Sequence, residues 1–174
     1  MNMESDALTT VRDPKRLDHW SGRIVSLHRT PRAFLPMGTF DTLNLIAGYG
    51  IEGDRYATES GFYSHKPEIG RQVTFFEVET LEALERDHGI TLRADEHRRN
   101  ITTRGVPLNH LVGRRFRIGE ALVEATRLSV PCRHIEEITG QQIFNPLINR
   151  SGLNTRILSG AIVRVGDPIT PFED

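Results

Sequence analysis

Arg115-Phe-Arg-Ile-Gly-Glu-Ala-Leu-Val-Glu-Ala-Thr-Arg-Leu128 decides the class of fold. Phe116 and Ile118 alternate with Arg115 and Arg117 at the two-residue period of a half-buried strand. Gly119-Glu120 supplies a tight turn, and Ala121 to Leu128 continues as a second strand, so the stretch predicts a hairpin. Gly160 to Ile169 repeats the arrangement: Ile162-Val-Arg-Val165, then Gly166-Asp167, then Pro168-Ile169. The two turns are too unlike to be a sequence repeat, but together they predict an antiparallel β framework.

Outward from this hairpin the chain keeps to short strands. Gly22 to Leu27 has the β-branched content of a strand, and Pro31, Pro36 and Gly38 punctuate a loop after it. Thr39 to Ile46 alternates imperfectly through Phe40, Leu43 and Leu45, and leads into Gly48-Tyr-Gly-Ile-Glu-Gly-Asp-Arg55, whose three glycines predict a shaped loop. Val73-Thr-Phe-Phe76 has the pattern of a buried strand. Glu77 to His88 carries Val78, Leu81 and Leu84 at helical spacing, and Gly89 is its expected stop. With Arg99 to Thr103 as a further strand, six or seven short strands and one strong helix predict a mostly β fold. A closed or nearly closed β-barrel with a few short helices fits this better than a layered α/β sheet.

At 174 residues the chain fits one domain with a core that needs no disulfide or structural metal. We place that domain at residues 22–174, behind a polar tail over residues 1–21. Met1 to Trp20 has no apolar core segment, so it matches neither a secretory signal nor a membrane anchor, and no membrane association is expected. The 22 basic residues nearly cancel the 23 acidic ones, which leaves no global field to attract nucleic acid. A single cysteine permits no intrachain disulfide, and the cytoplasm is the expected compartment.

That cysteine, Cys132, follows a strand and opens what reads as a short helix ending at Gly140. A thiol at a helix start beside Arg133 and His134 favours the thiolate, which suits a soft metal or a carried sulfur. The plainer alternative is a small buried hydrophobe. Arg98-Arg-Asn-Ile101 enters a strand, so its guanidinium groups either hold an anion at a sheet end or form a solvated edge. Arg55 faces a similar choice between an anion and a surface ion pair with Glu52 or Asp54. The seven histidines show no metalloprotease spacing, and there is no second cysteine for a zinc site. Phosphate-loop, dinucleotide and Gly-x-Ser-x-Gly motifs are missing, and Lys15 and Lys66 sit in polar, loop-like surroundings unsuited to a Schiff base.

Taken in order, Gly50-Ile-Glu-Gly-Asp-Arg55, Arg71-Gln-Val-Thr-Phe-Phe76, Arg98-Arg-Asn-Ile101, Gly105 with Leu108, Leu111-Val-Gly113, Phe116-Arg-Ile-Gly119, Pro131-Cys132 and Gly160 to Asp167 resemble the MOSC domain family. This is the domain of molybdenum-cofactor sulfurases, of the mitochondrial amidoxime-reducing component and of bacterial hydroxylaminopurine reductases. The resemblance runs from about Gly22 to Ile169. It implies a barrel related to the small β-barrel of pyruvate kinase and a molybdenum cofactor (molybdopterin), with Cys132 as metal ligand or sulfur carrier. It also implies Arg99 and Asn100 against the pterin or its phosphate, Arg55 and Arg71 as further anion contacts, and Ser129 as a hydrogen-bond partner of the cofactor. Many relatives carry a lysine after the first strand, where this chain offers His28 or Arg29.

Two functions follow from the resemblance. One is a reductase of small N-hydroxylated compounds, served by an external electron-donor protein. The other is a carrier of persulfide or cofactor, served by a sulfur donor. A nucleic-acid-binding barrel using Arg98, Arg99, Arg114, Arg115 and Arg117 lacks the interleaved aromatics of single-strand platforms.

Overall fold

The strand that organises the molecule is buried on both faces. The computed structural model describes residues 19–61 and 69–173, and in it Val73, Thr74, Phe75 and Phe76 are all buried. The polar tail therefore lies, up to residue 18, outside the described residues, as do His65 and Lys66.

In chain order the elements are β1 (Gly22–Arg29), β2 (Gly38–Phe40), β3 (Thr42–Ile46), β4 (Gly50–Ile51), β5 (Val73–Glu77), α1 (Val78–His88), β6 (Ile101–Arg104), β7 (Arg115–Ile118), β8 (Ala121–Leu128), α2 (Arg133–Thr139), β9 (Leu153–Ser159), β10 (Ala161–Arg164) and β11 (Pro168–Pro171). Seven strands in the spatial order β11-β7-β8-β9-β5-β6-β1 close into a barrel, because β1 also pairs with β11 through Gly22↔Ile169 and Arg23↔Pro168. Strand β2 extends β1, and β10-β3-β4 form a separate small sheet. Neighbours in the barrel are antiparallel except β5 and β6, which run parallel, with α1 in the crossover such a pair requires. No helix among the described residues is long and apolar enough to cross a membrane.

The two faces of β5 separate two cores. Phe75 points into the barrel, where it meets Phe116 edge-on at 5.4 Å among Ile24, Leu27, Ile101, Ile118, Val123 and Leu153. Phe76 joins an outer cluster with Leu84 of α1, Ile135 of α2, Ile143, Leu147 and Cys132. A strand covered on both sides reads as a continuous apolar run, as Val73 to Phe76 does.

The hairpin of β7 and β8 forms as expected, with Ile118↔Ala121 flanking its turn. Helix α1 ends at Gly89 with φ 64°, and α2 at Gly140 with φ 67°. The second expected hairpin does not form: β10 pairs with β3, while β11 pairs with β7 and β1. Its turn is claimed by β1, since Gly166 N donates to Ile24 O at 2.9 Å and Ile24 N donates to Asp167 O at 3.0 Å. Thr39 to Ile46 likewise breaks at Asp41 into strands of two different sheets, which accounts for its imperfect alternation. The glycine-bearing loop contains the short strand β4, paired to β3 through Leu45↔Ile51.

Candidate functional site

Just before β6, three consecutive residues send their side chains to three destinations. Arg98, Arg99 and Asn100 are all buried, so the solvated-edge alternative fails. Asn100 is wholly taken up inside the protein. Its Oδ1 accepts from Thr74 N (3.2 Å) and Thr74 Oγ1 (2.9 Å), and its Nδ2 donates to His28 O and Asp54 Oδ1 (both 3.2 Å). This side chain ties together β1, β5 and the loop after β4. Arg99 turns the other way, donating from Nε to Ser151 O (3.1 Å) and from Nη2 to Val130 O (3.3 Å) and Ser151 Oγ (3.2 Å).

Arg98 holds a left-handed backbone at φ 65°, uncommon for a residue with a side chain. One guanidinium nitrogen donates to Leu35 O, while Nε and Nη2 are buried without a hydrogen-bond partner among the described residues. Burial and the nearby Arg55 cation pull its pKa down to about 10, while Tyr56, Asp54 and Cys132 act in the opposite sense; the group stays cationic at neutral pH. Arg55 is buried too. It pairs with Asp54 at 3.1 Å, donates to Arg98 O at 2.8 Å and contacts Met37 Sδ at 3.4 Å, so its ion pair is internal rather than on the surface.

Cys132 stands at the junction between β8 and α2, 7% exposed. Next on α2 is buried His134, whose ring meets that of Phe34 edge-on at 4.5 Å. Burial and the charges of Arg98 and Arg55 hold His134 down to about 4. Beside this junction opens a cleft of about 100 Å³, lined by Tyr56, Arg71, Thr74, Arg99, Arg127, Ser129, Val130 and Asn154. The fold thus brings Arg71, Arg99 and Ser129 to one cleft and leaves Cys132, Arg55 and Asn100 off its lining. His28 and Arg29 are not among the lining residues either: His28 lies between Ser26 and Thr39 hydroxyls, and Arg29 sits over the Phe40 ring. Tyr56 packs against two guanidiniums, Arg55 at 4.6 Å and Arg71 at 5.2 Å from its ring centre. Arg127, Asn154 and Tyr56 are not singled out by the sequence, and Thr74 enters it only within the Arg71 to Phe76 stretch. Among the described residues, no three of His, Cys, Asp and Glu group to hold a metal ion.

His97 sets the backbone of this arginine segment. Its Nδ1 accepts from Arg99 N at 3.0 Å, which leaves the proton on Nε2, 2.8 Å from Thr102 Oγ1. Protonating Nδ1 would break the first bond, and full burial, with His28 and Arg99 nearby, holds the ring well below its usual range. His28 is lowered as well, chiefly by burial. Both rings are neutral in the folded chain but take up protons in the unfolded chain near about pH 6.5. Their contribution to stability is therefore complete above that pH and lost as pH falls below it, by up to about 1.4 kcal/mol per pH unit for each. The midpoint of urea unfolding should drop between about pH 7.5 and about pH 5.5, and less so in His97→Gln. A midpoint that is flat across this window would contradict the account.

The family model described as the MOSC domain matches residues 62–170. Among solved structures, the chain is similar to the YUAD protein from Bacillus subtilis, with a TM-score of 0.73 at 18% identity over 87% of this chain and 97% of that one. It is also similar to YiiM from Geobacillus stearothermophilus (0.68, 15%, 87% and 75%) and to YiiM from Escherichia coli (0.63, 18%, 87% and 70%). At such identities the likeness speaks for the fold. A search of the curated proteins gave no match.

Proposed function

The chain belongs to the MOSC domain family, and from that premise we propose that it binds a molybdenum cofactor through Cys132 and reduces small N-hydroxylated compounds. The observation that carries this reading is how short a segment separates the thiol from the cleft. Ser129-Val-Pro-Cys132 leads from a cleft lined by arginines to a soft donor, and a ligand with a phosphate at one end and a thiophilic metal at the other needs both. The buried, unpartnered Nε and Nη2 of Arg98, electrostatically linked to Cys132, fit negative charge at the thiol end.

When bound, the cofactor would supply two-electron redox chemistry, recharged by an external electron-donor protein. The chain's own residues orient and balance charge. Cys132 Sγ would be the protein's ligand to the metal. Arg99, braced by Ser151, and Arg71, stacked near Tyr56, would meet the anionic end, with Ser129 Oγ offering a hydrogen bond. Asn100 and Arg55 would support this frame from behind, because their donors are spent within the protein. Arg98 would hold a fixed positive charge beside the sulfur.

The test is molybdenum content by elemental mass spectrometry on wild type and Cys132→Ala, expressed side by side in a host that makes the cofactor. We expect near-stoichiometric metal in the wild type and background in the variant. Equal metal in both would remove Cys132 as the ligand. Metal in neither, with a persulfide on Cys132 after exposure to a desulfurase, would favour the sulfur carrier instead.

A further inference from the structure

The left-handed backbone of Arg98, φ 65°, is one that glycine adopts freely and arginine does not. Position 98 carries a guanidinium all the same, so its neighbours have to stabilise the turn. The bond from Arg99 N to His97 Nδ1, 3.0 Å, closes a ring across Arg98 from one residue to the second one on. Its connectivity is that of an Asx turn, with the imidazole nitrogen in the place of an asparagine Oδ1, since both atoms stand two bonds from Cβ. The ring is held against swivelling away. Nε2 donates to Thr102 Oγ1 of β6 at 2.8 Å, the Phe76 ring of β5 stacks on it at 4.3 Å and 12°, and the His28 ring of β1 meets it edge-on at 6.0 Å. The side chain is fully buried.

The turn decides where the next groups go. Arg98 O accepts from Arg55 Nη2 at 2.8 Å while the Arg98 guanidinium donates to Leu35 O. Arg99 Nε reaches Ser151 O, and Asn100 N donates to Thr74 O at 2.9 Å as the chain enters β6. These destinations lie far apart in the sequence, and an extended chain from His97 into β6 would send alternate side chains to one face instead. We infer that His97 is a positioning residue of the candidate site: by accepting the Arg99 amide across Arg98, it fixes the turn that sends Arg98 to Leu35, Arg99 to the cleft and Asn100 to Thr74. What the positioned groups hold rests on the cofactor reading; the clasp itself rests on the geometry around His97.

Three variants separate the acceptor from the bulk of the ring. His97→Asn keeps an acceptor at the Nδ1 place and gives up the stack on Phe76. His97→Phe keeps the stack and has no acceptor. His97→Gln carries its amide one bond further out, towards Thr102, and does not close the same ring. Deuterium exchange of the Arg99 amide reads the clasp, that of the Asn100 amide reads the seating of the segment on β5, and molybdenum per folded chain reads the site. His97→Asn should keep both amides protected and its metal within about twofold of wild type, while His97→Gln and His97→Phe should exchange both amides at least about tenfold faster and hold about a tenth of the metal or less. A histidine that only fills space predicts the reverse order, with His97→Phe nearest to wild type and His97→Asn, which leaves a void, furthest from it. That reverse order, or equal exchange in all four proteins, would overturn the inference. So would a fast Arg99 amide in His97→Phe beside a protected Asn100 amide and wild-type metal, since the clasp would then position nothing. Because His97→Asn should also have the lowest urea midpoint, its retention of metal cannot come from stability. Wild type that loads no metal would sink the cofactor reading, and the order of Arg99 and Asn100 exchange would still decide the role of His97.

Discussion

Gly152→Ala is expected to leave little folded protein. Gly152 has φ 99°, a conformation that side-chain-bearing residues rarely adopt, and a Cβ placed there would lie 2.0 Å from Phe75 O and 3.2 Å from Phe75 C. The obstacle is backbone of β5, which is hydrogen-bonded to β6 on one side and β9 on the other and has no freedom to retreat. Relief would require moving the start of β9, where Leu153 pairs with both Phe75 and Leu128, or breaking the bond from Ser129 N to Gly152 O at 2.8 Å. Backbone strain of about 1–3 kcal/mol adds to the loss of this strand junction, for a total on the order of 4 kcal/mol or more. That is a large fraction of the roughly 5–15 kcal/mol that holds a domain of this kind together. Soluble yield and the urea midpoint would both fall. A variant that melts within about 2 °C of wild type would show that the junction is looser than its geometry implies.

The same junction explains what the sequence could and could not reveal. Strand β9, Leu-Asn-Thr-Arg-Ile-Leu-Ser from Leu153, does not stand out, because buried Asn154 and Thr155 interrupt its apolar pattern. Those polar residues are buried because neighbouring elements satisfy them: Thr155 Oγ1 donates to Val73 O at 2.9 Å, and Asn154 serves Ser129 and Arg127. The hairpin of β7 and β8 and helix α1 were legible, since their periodicity is local. The partners of β10 and β11 were not, because a turn alone does not say which strands it joins. At the candidate site, Cys132 and the arginine run were legible as residue types in a recognisable order. The division of labour within Arg98-Arg-Asn100 was not, because it depends on β1, β5 and the loop after β4 converging from distant parts of the chain. Arg127 was hidden for a simpler reason. Its parity along β8 points inward until the bulge in the pairing with β9, between Ala125↔Thr155 and Arg127↔Asn154, is known, although the polar pair Thr126-Arg127 after three alternating inward residues is the trace such a bulge leaves.

Asp54→Ala is expected to destabilise the fold by about 3–5 kcal/mol, the usual consequence of stripping one partner from a buried ion pair. The Asp54 carboxylate is 1% exposed and accepts from Arg55 Nη1 (3.1 Å), Tyr56 N (3.2 Å), Asn100 Nδ2 (3.2 Å) and Thr30 N (3.3 Å). Without it, the buried Arg55 cation faces Arg98, a second buried cation whose pKa it already depresses. The two like charges would then sit in a poorly solvated region with their counter-ion gone. Removing the cation as well should repair most of the damage, so Asp54→Ala combined with Arg55→Met is expected to unfold at a clearly higher urea concentration than Asp54→Ala alone. If the double variant is no more stable than the single one, the carboxylate acts through its backbone and Asn100 contacts, and the charge argument fails.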